Sequence, residues 1–132
     1  MKKICFFILL AGVVCLAACA EKSEKKDDYT EVIQPVEAYY DAIVSQKRER
    51  IGSIACAEWE KDALRDVDAF MGVKAELKDF SCEVENMDAE SALVICQGHI
   101  DASYGAEVTE FSLQNRQHRV VLEQGEWRIC GY

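Results

Sequence analysis

The chain has 132 residues, with 24 acidic side chains against 15 basic ones and a net charge of −9. So acidic a chain lacks the basic face that nucleic-acid binding needs, and it has no charge attraction for anionic lipid. The length allows one domain built on one core.

The N-terminus opens with Lys2 and Lys3, and then runs apolar from Ile4 to Leu16, broken only by Gly12. A bilayer-spanning helix needs about 18 or more apolar residues, so this run is too short to cross. Charge follows at once in Glu21, Lys22, Glu24, Lys25, Lys26, Asp27 and Asp28. That is the layout of a cleaved signal. The run ends in Leu16-Ala17-Ala18-Cys19, which resembles the lipobox of bacterial lipoprotein signal peptides. The resemblance implies a signal peptide over residues 1–18, cleavage before Cys19, and diacylglycerol on the Cys19 thiol. With further acylation by a fatty acid such as palmitate, two or more chains would hold the protein on a membrane almost permanently. The alternative is an ordinary secretory signal cut near Ala18 or Ala20. Residues 19–29 read as a charged tether and residues 30–132 as the folded domain. Removal of Lys2 and Lys3 leaves the mature chain still more acidic.

Pro35 suits the first turn of a helix, where its missing N–H costs nothing. Val36, Tyr39, Tyr40, Ile43 and Val44 recur on one face and predict a helix over 31–47. After Gly52, a second helix is predicted from Cys56, Trp59, Ala63, Val67 and Phe70, closed by a left-handed Gly72. The period then shifts to two. Phe80, Cys82 and Val84 alternate with polar residues in a strand over 76–86, and a second strand follows over 92–103 after a turn at Asp88-Ala89. Its inward face reads Val94, Cys96, Gly98, Ile100 and Ala102. Gly98 falls opposite Phe80 and is expected to clear room for an aromatic ring. Beyond a turn at Tyr104-Gly105, Val108–Leu113 and Arg119–Leu122 form one long third strand, bent near Asn115-Arg116-Gln117. A turn at Gln124-Gly125 leads to a last strand with Trp127 and Ile129.

Four cysteines follow the anchor: Cys56, Cys82, Cys96 and Cys130. An even number outside the cytoplasm suggests two disulfides. Folding at Asp88-Ala89 sets Cys82 opposite Cys96, which leaves Cys56 for Cys130. Cys56–Cys82 with Cys96–Cys130 is the rival pairing, and buried free thiols are a third state. No C-x-x-C and no paired histidine spacing points to a metal.

Helices followed by antiparallel strands define an α+β fold: N-terminal helices packed on a curved antiparallel meander sheet of about four strands. An early Val-x-x-Tyr-Tyr-x-Ala-Ile helix, a second helix with an inward Trp, and a final Gly-Glu-Trp-Arg-Ile strand resemble the nuclear-transport-factor-two-like (cystatin-like) superfamily. The resemblance implies a cone-shaped body with a pocket between sheet and helices. It includes small extracytoplasmic lipoproteins of unknown role, which this chain resembles best, and also isomerase-like and cyclase-like enzymes.

The inward face of the second strand carries no group able to do acid–base work. His99 and Asp101 lie two apart on its other face and form the best carboxylate–imidazole pair, with a solvated strand pair as the simpler reading. His118, beside Arg116 and Arg119, reads as an exposed polar residue at the bend. The pocket candidates are Tyr39, Tyr40, Trp59, Phe80 and Trp127, with core packing as their competing role. No phosphate loop, nucleophile elbow, metal spacing or cofactor motif is present. The leading expectation is a lipid-anchored, non-enzymatic, extracytoplasmic binding domain for a protein partner or a small apolar ligand. The alternatives are a small cyclase- or isomerase-type enzyme and a structural envelope protein. Leu93 and Ile95 on the outer sheet face hint at a homodimer.

Overall fold

A computed structural model of the protein describes residues 29–132. The signal segment, Cys19 and nearly all of the tether lie outside the described residues. Three helices, α1 (Thr30–Ser45), α2 (Ile51–Ile54) and α3 (Glu60–Ala69), precede five strands: β1 (Lys74–Met87), β2 (Ser91–Tyr104), β3 (Glu107–Ser112), β4 (Arg116–Glu123) and β5 (Glu126–Ile129). The fold is α+β, with the helices packed on one face of a curled antiparallel sheet. No described helix is long and apolar enough to cross a membrane.

Helix α1 buries Val32, Val36, Tyr39, Tyr40 and Ile43, the stripe that helical spacing requires. Pro35 sits in the second turn, one turn later than predicted, and is buried; its missing N–H costs the helix one i−4 bond. Gln46 ends the helix in the left-handed conformation. Its side chain accepts from the Gly72 N–H at 3.1 Å and donates to the Val73 carbonyl at 2.6 Å, so the cap of α1 also fixes the link from α3 to β1. Gly72 has φ +77°, the conformation predicted for it.

The second helix is shorter than predicted. Gly52 lies inside α2, and Cys56 lies on no helix. Ala55 instead forms a parallel bridge to Ile129, and the Cys56 N–H donates to the Ile129 carbonyl at 2.8 Å. Pairing with β5 satisfies the backbone that an early helix start would have used, and α3 begins only at Glu60.

Strand β2 is the centre of the sheet. The strand order is β1-β2-β4-β5, and β3 also pairs with β2. The turn before β2 is held by Asp88, whose Oδ1 accepts from the Glu90 and Ser91 N–H groups at 2.8 and 2.7 Å. The predicted third strand is two strands. Asn115 takes φ 57° and the Arg116 N–H donates to the Leu113 carbonyl at 3.0 Å, which breaks the ladder. As a result β3 pairs with residues 99–104 of β2 and β4 with residues 91–96.

Gly98 has a different role from the one predicted. Asp79 and Phe80 of β1 together face it in a bulge. A Cβ at Gly98, where φ is +103°, would lie 2.6 Å from the Lys78 carbonyl oxygen and 2.7 Å from that of Asp79. Gly98 therefore admits backbone, and Phe80 turns to pack on Tyr40 with ring centroids 5.1 Å apart.

Register places Cys82 directly opposite Cys96, and the two form a disulfide. Cys56 and Cys130 form the other, joining the segment ahead of α3 to the end of β5. The rival pairing is excluded. Two such bonds are at home in an oxidising, extracytoplasmic setting.

Candidate functional site

Alternation along β2 buries Val94, Cys96, Gly98, Ile100 and Ala102, as read from the sequence. The same alternation runs through β4. Arg116 pairs with Cys96, His118 with Val94 and Val120 with Ala92, so Arg116, His118 and Val120 all point inward. His118 is fully buried. This overturns the expectation of an exposed bend residue: the bend falls at Asn115, within the expected stretch, and His118 lies past it in β4 on the inward phase. The sheet interior is thus not free of ionisable groups; they enter from β4 and α3.

Between α1, α3, β3 and the chain end lies a half-open cavity of about 320 Å³. Its apolar walls come from Ile43, Phe70, Ile100, Phe111 and Leu113, and its polar atoms from Tyr39, Tyr40, Asp66, Arg116 and Tyr132. Phe70 and Phe111 stack edge-on across the mouth with centroids 5.6 Å apart. Glu110 also borders it, but alternation sends that side chain to the outer sheet face, opposite Asp101.

Two polar pairings organise the cavity. Asp66, projected from α3, accepts from the Tyr39 hydroxyl at 2.7 Å and from the Tyr132 hydroxyl at 3.1 Å, both on Oδ2. Burial pushes the Tyr39 phenol far above its ordinary range, and the Asp66 acceptor and charge push it further. Tyr132 moves the same way, first by burial and then by the Asp66 charge. Deeper in, the Tyr40 hydroxyl and His118 Nε2 share a hydrogen bond of 3.1 Å. Burial raises Tyr40, and the Arg116 cation beside it pulls part of the way back. Burial lowers His118 to about 4, helped by Arg116, so its imidazole is neutral at physiological pH. His118 Nδ1 has no partner.

Arg116 is the exception among the arginines. Arg48, Arg50, Arg65, Arg119 and Arg128 each pair with a carboxylate. Among the described residues Arg116 alone of the arginines has no carboxylate within 4.0 Å. Its guanidinium instead lies over the Tyr132 ring, 4.5 Å from the centroid.

Of the predicted pocket residues, Tyr39 and Tyr40 line the cavity. Trp59 and Phe80 stand behind them. Trp59 packs on Tyr39 and Tyr132 at 5.2 and 5.7 Å, and Phe80 on Tyr40. Trp127 belongs elsewhere, in a larger open groove of about 450 Å³ with Pro35, Ala38 and Ile54. The sequence pattern did not single out Asp66, Arg116 or Tyr132, and it placed His118 on the wrong side of the sheet. Spacing could have placed three of these: Arg116 and His118 are in phase with Val120, and Asp66 lies three residues after the inward Ala63.

His99 and Asp101 face outward, 3.5 Å apart, and Glu110 of β3 reaches within 4.0 Å of the same ring nitrogen. Their donor atoms all lie within 4.8 Å of one another, which makes them the cluster able to hold a cation among the described residues. Lys78 stands directly opposite His99 on β1 and works against that. Leu93 and Ile95 also face outward, but Glu83, Gln117 and Arg119 surround them.

No protein-family model matches the chain, and no curated protein matches it closely enough to count as a relative.

Proposed function

We propose that the protein is a lipid-anchored, extracytoplasmic binding domain without enzymatic activity, and that the cavity beneath Phe70 and Phe111 holds a small, largely apolar ligand. The Leu16-Ala17-Ala18-Cys19 motif supports the anchor, and the two disulfides support the oxidising side of a membrane. One observation carries the binding reading. The inward polar groups are held to one another: Asp66 by two phenols, and His118, neutral, by Tyr40. A general acid or base works best with a pKa near the working pH. His118 at about 4, and tyrosines raised above their usual range, stand far from it.

The rival reading, a cyclase- or isomerase-type enzyme, draws on the carboxylate and phenols that meet in the cavity and on the imidazole behind Tyr40. Proton transfer through His118 or a tyrosine would have to run against the burial that shifts each of them.

The test is calorimetric titration of the full-length protein in dodecylmaltoside with 2-naphthamide, a neutral bicyclic probe. Saturable binding that Phe111→Ser abolishes is the expected result; no saturable heat overturns the binding reading. For the anchor, Cys19→Ala should move the protein out of the membrane fraction. Full partition of that variant with lipid would defeat the assignment of Cys19.

A further inference from the structure

We propose that the ligand carries a carboxylate, and that Arg116 receives it, with an aromatic or aliphatic body lying between Phe70, Phe111 and Ile43. This deepens the binding reading and rests on it.

Arg116 has a cation's full charge at the mouth of a largely apolar cavity, and every other described arginine has a carboxylate where Arg116 has none. The guanidinium carbon lies over the Tyr132 ring, 4.5 Å from its centroid. One N–H side comes close to the Tyr40 hydroxyl, no donor meets a carboxylate among the described residues, and a guanidinium fork matches the two oxygens of a carboxylate. The ring contact also fixes the fork before a ligand arrives, so less freedom is lost on binding.

The neighbours set the charge of the guest. Asp66 places a negative charge in the same cavity, and Tyr132 stands between it and Arg116, touching both. A single negative charge at Arg116 is compensated by the guanidinium. A dianion such as a phosphate monoester would face Asp66 with its second charge uncompensated, since no other cationic side chain lines the cavity. Asp66 itself does not take up Arg116, because its Oδ2 is already engaged by two hydroxyls and no oxygen of it comes within ion-pair reach. The Tyr40 hydroxyl, close enough to Arg116 to feel its charge, adds a second polar contact on the same side of the cavity.

The experiment compares three probes with one body: 2-naphthoate, 2-naphthamide and 2-naphthyl phosphate, titrated into the full-length protein in dodecylmaltoside with empty-micelle heats subtracted. Naphthoate should bind at least about tenfold more tightly than the amide, the scale of one charge-assisted contact. Arg116→Gln should remove that advantage and leave amide binding within about twofold, the difference that separates an ionic contact from general damage. Equal binding of naphthoate and amide, or an unchanged preference in Arg116→Gln, overturns the carboxylate assignment while the cavity reading stands. Tightest binding of the phosphate overturns it as well. Failure of all three probes, the amide included, removes the binding reading itself.

Discussion

The sheet carries two histidines, one on each face, and they meet opposite fates. His99 is on the outer face, partly in water, with Asp101 and Glu110 within 4.0 Å. His118 is on the inner face, shut from water, with a phenol for its one partner and a cation nearby. Strand alternation alone made the assignment, since residues two apart share a face. What an imidazole does here is decided by the parity of its position. The inner face stores unfavourable electrostatics that packing must offset, whereas the outer face has water to screen its charges.

That contrast can be broken from the inside outward. The inner face exists because the helical layer covers it, and Cys56–Cys130 is the covalent tie between the layers. Serine at both positions should lower the unfolding free energy by about 4 kcal/mol, and serine at Cys82 and Cys96 by about 3 kcal/mol, because loop-closure entropy grows with span. The spans are 74 and 14 residues. Urea denaturation of the two pairs measures the order, and a larger loss from the short bridge would show that native strain or residual structure governs instead.

The next effect is one of pH. His118 titrates near 6.5 in the unfolded chain and at about 4 in the folded one. Between those values the unfolded state binds a proton that the native state refuses. Stability is therefore complete above about pH 6.5, falls as the pH drops, and levels off below about 4. The loss attributable to this residue is about 3 kcal/mol. His118→Gln should flatten that part of the pH profile in guanidinium unfolding, and an unchanged slope would mean that other groups carry it. The smallest effect belongs to the outer face. His99→Gln should shift stability by less than about 0.5 kcal/mol, as exposed strand substitutions do. A loss several times larger would make the outer cluster a structural element in its own right.

Much of the scaffold was legible because it obeys simple periods. The α1 stripe, the inward face of β2 and the Cys82–Cys96 pairing follow from spacing and from one turn. The expectations that the structure overturns share a cause: distant pairing, not local pattern, decides those positions. Cys56 stands at helical spacing from Trp59 and Ala63, yet Ala55 and Cys56 bond to Ile129. Gly98 looked like space for a ring, and the bulge at Asp79 and Phe80 fills it with carbonyl groups. The cavity was the least legible part. Asp66, Arg116, His118 and Tyr132 come from three separate stretches of chain, and polar residues on a buried face look like interruptions of the pattern.

Cys130 stands two residues ahead of Tyr132, whose hydroxyl reaches Asp66 and whose ring supports Arg116. One wall of the cavity is thus bolted down by a bond that a reductant can cut. A newly made chain with its thiols still reduced lacks that bolt, and its chain end is held there by noncovalent contacts alone. Oxidation therefore does two jobs at once: it hardens the body, and it finishes the doorway through which a guest would enter.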